Sequence, residues 1–199
     1  GLQLRVHRFD SVLSLQHMKI LVTGSSGFIG FHLVTKLLSA GYKVVGIDDN
    51  NDYYNPKLKF KRLALLNSKN FTFYESDINS MSISEQGFDL AINLAAQAGV
   101  RVRKEKEYLY EHSNIKGFMS FCNLCKKKNI NKIIYASSSS VYADINDGKL
   151  CEASTSLIPK STYGKSKLNN EKYASQLINL SNFSFVGLRF FSVYGPYGR

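Results

Sequence analysis

Residues 19–39 constrain this chain more than any other stretch. Lys19–Thr23 (KILVT) is a short apolar, β-rich run, Gly24–Gly27 is a turn, and Phe28–Ser39 places Ile29, Leu33, Val34, Leu37 and Leu38 at helical spacing. A strand that enters an amphipathic helix through a glycine turn predicts a β–turn–α unit. Such a unit cannot cover its own strand, so further strands must lie beside it. Ala40-Gly41 stops the helix, and Lys43–Asp48 (KVVGID) reads as a second strand. Pro56 opens a helical stretch to about Asn67, since proline is accepted in a first turn. Phe71–Ser76 reads as a third strand from its aromatic and β-branched content. Phe88–Leu94 (FDLAINL) is apolar almost throughout, as a strand buried on both faces requires. Tyr108–Lys127 reads as a long helix, Ile133–Ser137 as a fifth strand, Ser161–Leu180 as another long helix, and Phe183–Phe191 as a sixth strand.

Strand and helix alternate throughout in this reading. The expected fold class is α/β, a doubly wound parallel sheet of Rossmann type with right-handed crossovers. The 199 residues suffice for one domain and are too few for two ordinary ones. With 44% hydrophobic and 21% charged residues, wholesale disorder, collagen and a disulfide scaffold are excluded. Cys122, Cys125 and Cys151 are read as reduced thiols of a cytoplasmic protein. The first two form a CxxC without a second Cys/His pair, so they read as buried core thiols and no metal is expected. The formal charge is +11, but the basic residues are scattered. Lys57, Lys59, Lys61 and Arg62, Arg101 to Lys106, and Lys126 to Lys128 each read as solvated surface, and no nucleic-acid partner is expected. No apolar run reaches the roughly 18 residues of a membrane span. Residues 1–17 read as an unstructured or non-native extension ahead of a true start at Met18, and 18–199 as a Rossmann domain truncated at its C-terminal end.

Two groups of residues carry chemistry. The first is Thr23–Gly30 (TGSSGFIG), a GxxGxxG spacing after a strand and at the opening of a helix. Glycines there allow the tight turn and let backbone N–H groups approach a pyrophosphate at the helix N-terminus. Asp48, 18 residues beyond Gly30, ends the second strand where an acid accepts from an adenosine ribose, which favours NAD over NADP. The second group is Ser138 with Tyr163 and Lys167. Tyr163 and Lys167 are four apart on a predicted helix and project from one face. A nearby ammonium favours the phenolate, and moving a tyrosine from about 10 towards 7 takes about 4 kcal/mol of differential interaction. Ser138 lies just past the fifth strand, at the carboxyl edge where doubly wound sheets bind ligands.

These residues carry a resemblance. The glycine motif, Asp48, the Ala-Ser-Ser-Ser-Ser-Val-Tyr run and Tyr163-x-x-x-Lys167 resemble an extended short-chain dehydrogenase/reductase of the NAD-dependent epimerase/dehydratase family. Residues 48–54 (DDNNDYY), 94–101 (LAAQAGVR), 137–142 (SSSSVY) and 188–199 (LRFFSVYGPYGR) are similar to its UDP-glucuronate 4-epimerase branch. The resemblance implies that Gly24, Gly27 and Gly30, with Ser26, Phe28 and Ile29, hold the NAD pyrophosphate, and Asp48 the adenosine ribose. It implies Asp77 and Ile78 beside the adenine, and Leu94, Ala95, Ala96 and Gln97 along the cofactor. Lys167 would hold the nicotinamide ribose and Asn114 would support the site from its helix. Tyr163 would be the base that takes the 4-hydroxyl proton of a UDP-sugar as hydride leaves carbon 4, with Ser138 its hydroxyl partner. Ser192 and Arg199 resemble a clamp for a sugar carboxylate, because arginine offers a planar fork and a hydroxyl a further donor.

The resemblance implies a homodimer through the helices at about 108–127 and 161–180, and a C-terminal substrate domain that this chain lacks. Residues 102–107 (VRKEKE) depart from a usual Tyr-Ser-x-Glu-Asn-Pro-like stretch, with Arg103 where a small hydroxyl is common, and Ala143 replaces a usual glycine. A nucleotide-sugar 4,6-dehydratase is a rival, but its acid/base pair would fall at Ser139 and Ser140, which cannot serve. A UDP-glucose/galactose 4-epimerase shares the same core residues and is the stronger rival. A dinucleotide-binding module without catalysis is the alternative from another class.

Overall fold

A computed structural model of the chain describes residues 18–99, 104–142, 150–154, 157–180 and 182–198. Its strands are β1 (Lys19–Thr23), β2 (Lys43–Asp48), β3 (Phe71–Glu75), β4 (Leu90–Asn93), β5 (Lys132–Ser138) and β6 (Ser184–Phe190). All pair in parallel, in the order β3-β2-β1-β4-β5-β6. The expected doubly wound sheet is therefore present. Its helices are α1 (Phe28–Ser39), α2 (Lys57–Leu65), α3 (Gly117–Lys127) and α4 (Thr162–Leu180).

Strand alternation divides the apolar residues between two layers. Ile20, Val22, Val44 and Ile92 meet Phe31 and Val34 of α1, with Leu63 of α2 packed against them. Leu21, Val45, Ala91, Ile133 and Tyr135 face Phe118, Phe121, Cys122 and Cys125 of α3 and Ala174 of α4. A period of two on the strands and of 3.6 on the helices makes this the low-cost arrangement. Cys122 and Cys125 are core thiols as expected, and burial pushes both up, Cys122 to about 12. Cys151 is exposed.

Two stretches differ from the expected alternation. Residues 76–89, between β3 and β4, contain no helix. Their serines and asparagine favour turns, and Asp77 Oδ1 accepts from the Asn79 N–H at 2.7 Å. Ile78, Ile83 and Phe88 are buried, so this extended connection fills the layer that a helix would otherwise fill. The expected helix at 108–127 is a π-helical turn, Tyr110–Lys116, running into α3. The widened turn contains Asn114, which is 1% exposed and hydrogen-bonds outside its own helix.

Both differences act at the carboxyl edge of the sheet. So does Thr23 at the end of β1, whose hydroxyl donates to Asn93 Oδ1 at the end of β4. That buried bond fixes the two central strand ends side by side, directly under the glycine turn.

Candidate cofactor and active site

The turn after β1 approaches its neighbours so closely that no side chain fits. Gly24 has φ +73°, and a Cβ there would come within 2.6 Å of the Ala95 nitrogen. A Cβ on Gly30 would collide with the Gly24 carbonyl oxygen, so α1 starts hard against the turn. These glycines, with Gly27, Phe28 and Ile29, line a cavity of about 700 Å³ along the carboxyl edge. Its other walls include Asp48, Ile78, Leu94, Ala95, Ala96, Gln97 and Ala136.

At the β2 end, Asp48 is 7% exposed and accepts three hydrogen bonds. Their donors are the Ser26 N–H at 3.2 Å, the Asn50 N–H at 3.0 Å and Lys59 Nζ at 3.1 Å. Ser26 also donates its hydroxyl to Asn50 Oδ1. Lys59 and Arg62 are 5% and 1% exposed, which corrects the surface reading of their cluster. Lys57 and Lys61 are exposed as expected. Arg62 donates to the Ser26 carbonyl at 3.1 Å, to Tyr54 Oη at 2.6 Å, and twice to the Tyr197 carbonyl at 3.2 and 2.6 Å. The loop after β6 is thereby tied across to α2 and the glycine turn. His32 Nε2 is also 2.9 Å from the Pro196 carbonyl, and Val193, Tyr194, Gly195 and Tyr197 line the cavity. Tyr197 has a left-handed φ of +61°, an uncommon conformation for an aromatic residue.

At the other end, Ser138, Tyr163 and Lys167 lie near one another. Ser138 lies near enough to Tyr163 for its hydroxyl to lower the phenol. Lys167, 2% exposed, donates to the Ala136 carbonyl at 2.9 Å and lies 5.9 Å from the Tyr163 ring centroid. Asn114 exchanges two hydrogen bonds with the Gln97 backbone, at 2.7 and 3.3 Å, and donates to Ser166 Oγ at 2.9 Å. Ser166 in turn donates to the Tyr163 carbonyl at 2.7 Å, so the loop after β4 is joined to the first turns of α4. Glu171, one turn beyond Lys167, holds Arg189 of β6 through bonds of 2.9 and 2.8 Å and accepts from the Ser137 hydroxyl. Arg189 also donates to Tyr142 Oη at 3.0 Å. Ser137, just before Ser138, and Tyr142, four residues after it, are thus held by one ion pair.

The electrostatics differ from the simple expectation. Burial pushes the Tyr163 phenol up, and the Ser138 hydroxyl pulls it down by less. The Lys167 ammonium donates to the Ala136 carbonyl and lies over the Tyr163 ring, yet burial outweighs what lowers the phenol. Burial pushes Lys167 down to about 8, which leaves it mostly charged at neutral pH.

Among the described residues, the expected site residues Ser26, Asp77, Asn114, Ser138, Tyr163, Lys167 and Ser192 are not among those that line the cavity. Asp77 accepts from Asn79 and lies 3.6 Å from His112, while its neighbours Ser76 and Ile78 do line the cavity. Ser192 is exposed. Arg199 lies outside the described residues, as do Arg103, Ala143 and residues 1–17. The sequence reading missed Lys59 and Arg62. Their three-residue spacing puts them on one helical face, and that spacing was the available signal.

The chain matches the model of the NAD dependent epimerase/dehydratase family over residues 20–199, and it belongs to that family. It is 44% identical over 189 residues to Protein CapI of Staphylococcus aureus, covering 92% of this chain and 56% of that protein. It is 39% identical over 201 residues to UDP-glucuronate 4-epimerase 2 of Arabidopsis thaliana, covering 98% of this chain and 46% of that protein. A crystal structure of UDP-glucuronic acid 4-epimerase from Bacillus cereus with UDP-glucuronic acid and NAD superposes with a TM-score of 0.84 at 37% identity. That superposition covers 92% of this chain and 59% of the other. The chain spans about half the length of the curated relatives it matches. The family's cofactor, NAD, suits this cavity: the glycine turn leaves room that any side chain would fill. Asn50 Nδ2, buried beside Asp48, has no hydrogen-bond partner among the described residues.

A lysine depressed by burial is a cost to folding that pH can relieve. Between about pH 8 and 10 the unfolded chain holds a proton on Lys167 that the folded chain gives up, so stability rises with pH through that window. Urea unfolding at pH 7.5 and pH 10 should show the wild type gaining about 2 kcal/mol relative to Lys167→Met. Parallel stabilities at the two pH values would contradict the burial of the charge.

Proposed function

We propose that this chain is the cofactor-binding part of an NAD-dependent UDP-sugar 4-epimerase, acting on UDP-glucuronate to give UDP-galacturonate. The observation that carries the proposal is the meeting of two independent groups at one sheet edge. The glycine-lined cavity begins at Asp48, and Lys167 is bonded to Ala136 in its far wall. Gly24, Gly27 and Gly30 would hold the pyrophosphate of NAD, Asp48 the adenosine ribose, and Lys167 the nicotinamide ribose. NAD bound there would supply a hydride acceptor at its nicotinamide ring and return the hydride to the opposite face of the sugar.

The chain's own residues would handle the proton. Tyr163 would take it from the sugar's 4-hydroxyl, and Ser138, whose hydroxyl lies near Tyr163, would orient that hydroxyl. Burial pushes the phenol above its ordinary value, and the Lys167 ammonium and the positively charged ring of the bound cofactor would act to lower it. The Glu171–Arg189 pair, bonded to Ser137 and Tyr142, would help hold the Ser138 segment against the helix that carries Tyr163. Ser139 and Ser140 follow Ser138 where a dehydratase would need an acid and a base, which favours epimerisation.

The 4-epimerase relatives support glucuronate as the sugar, and Ser192 and Arg199 are the candidates to recognise its carboxylate. We assign the enzyme to the cytoplasm, which the free, buried Cys122 and Cys125 support. We also assign it a homodimer through α3 and α4, whose exposed Met119 and Ile178 support such a contact.

In the enzyme, Tyr163→Phe should lower turnover by at least about a hundredfold, the scale of a lost general base, while the NAD dissociation constant stays within about twofold. Retention of most of the activity would sink the proton-transfer role. Arg199→Ala should reduce the preference for UDP-glucuronate over UDP-glucose by about 1 to 3 kcal/mol in specificity constants. An unchanged ratio would remove Arg199 from the site and favour a neutral-hexose epimerase.

A further inference from the structure

The π-helical turn Tyr110–Lys116 carries two buried side chains four residues apart, Tyr110 and Asn114, which leave it on one face. The sequence reading includes Asn114 and passes over Tyr110. Each of them reaches both the loop after β4 and the start of α4. Asn114 holds the Gln97 backbone and passes through Ser166 to the Tyr163 carbonyl. Tyr110 donates its hydroxyl to the Gly99 carbonyl at 2.7 Å. Its ring lies against that of Tyr163, with centroids 6.1 Å apart and planes tilted by 52°. One turn therefore holds Tyr163 twice, at its backbone through Asn114 and at its ring through Tyr110.

The chemistry of Tyr110 limits what it can do there. It is 2% exposed. Burial, and after it the neighbouring Tyr53, Glu107 and Tyr163, pushes its phenol up, so the hydroxyl keeps the proton that it gives to Gly99. A proton spent on a backbone carbonyl is not available to a sugar, so Tyr110 offers no second acid. A ring bonded at its far end and packed along its side has little freedom to turn, however, and so makes a fixed neighbour. The titratable groups around the two tyrosines are Lys167 from α4, Tyr53 from the loop after β2, and Glu107, which accepts from Thr162 Oγ1 at 3.4 Å. Burial is the largest influence on the Tyr163 phenol. The Tyr110 ring supplies part of it, because apolar surface beside a phenol displaces the water that would solvate its anion.

We propose that Tyr110 is a positioning residue for Tyr163: its hydroxyl, anchored on Gly99, fixes its ring, and the ring sets the attitude of the Tyr163 phenol and keeps water from it. The proposal rests on the reading of Tyr163 as the proton acceptor. Gly99 directly follows residues 94–98, which line the cavity. Tyr110 thus ties the phenol to the same loop that borders the cofactor space. Removing the ring frees the phenol and wets it. Removing only the hydroxyl loosens the ring but leaves the phenol dry.

The test compares wild type, Tyr110→Phe and Tyr110→Ala, each beside the same protein carrying Tyr163→Phe. Tyrosinate absorbance is read without cofactor after rapid pH jumps, before the chain can unfold, and the difference within each pair reports the Tyr163 phenol. Water favours the anion, so Tyr110→Ala should lower that midpoint by at least about half a pH unit, or about threefold in ionisation constant. Tyr110→Phe keeps the ring and should stay within about 0.2 pH unit of wild type. In the enzyme, turnover per folded protein should fall by at least about tenfold in Tyr110→Ala and by less in Tyr110→Phe. An unmoved midpoint in Tyr110→Ala would overturn the proposal, and so would equal losses of turnover in the two variants. Should Tyr110→Ala fail to show cooperative unfolding, Tyr110→Leu, which also removes the ring, takes its place with the same outcomes. Full turnover by Tyr163→Phe alone would instead overturn the reading of Tyr163 as proton acceptor. The absorbance readings do not depend on activity, so the two failures are distinguishable.

Discussion

The close approach of the β1–α1 turn to the exit of β4 is the constraint from which the rest of the site follows. Gly24 sits against the Ala95 backbone, and Gly30 against the Gly24 carbonyl, at distances no Cβ can share. The Thr23–Asn93 bond beneath the turn holds the two strand ends level. Because α1 begins flush with the sheet edge, its first N–H groups face the cavity, where the helix dipole favours an anion. The sheet order then does the remaining placement. β2 delivers Asp48 on one side of β1, while β4 and β5 deliver the Gln97 loop and Ser138 on the other.

Polar ties across the carboxyl edge give the site its rigidity. Asn114 links the β4 loop to α4 through Ser166, and Lys167 links α4 to β5 through Ala136. Glu171 and Arg189 close the same corner from β6, with side chains 16% exposed, so this pair is screened less than a surface ion pair. On the opposite side Arg62 draws the loop after β6 back over the cavity mouth. The two ends of the cavity thus differ in kind. The Asp48 end is a balanced set of charges, and the Tyr163 end is a desolvated acid and base held slightly apart.

Much of this was legible in the sequence, because the signals were local. The glycine spacing, the period of the strands and the four-residue step from Tyr163 to Lys167 each follow from backbone geometry. What escaped detection depended on contacts between distant parts of the chain. Lys59 and Arg62 looked like surface charge because α2 is inverted: Phe60 and Leu65 are 51% and 57% exposed while the two cations point inward. Only the partners, Asp48 and the Tyr197 carbonyl, make that orientation favourable, and Tyr197 is 135 residues from Arg62. The helix-free connection at 76–89 escaped notice for a related reason. Its buried Ile78, Ile83 and Phe88 satisfy the core without any periodicity to read. The upward displacement of the Tyr163 phenol is likewise a property of burial, which no spacing of residues reports.

The central claim is that one dinucleotide spans the sheet edge from Asp48 to the Ser138–Tyr163–Lys167 group. A crystal structure of the protein with NAD tests it most directly. The account predicts density with the adenosine ribose within hydrogen-bonding distance of Asp48, the pyrophosphate on the Gly24–Gly30 turn, and the nicotinamide ribose at Lys167. Density with the ends reversed, or NAD bound away from the glycine turn, would contradict it.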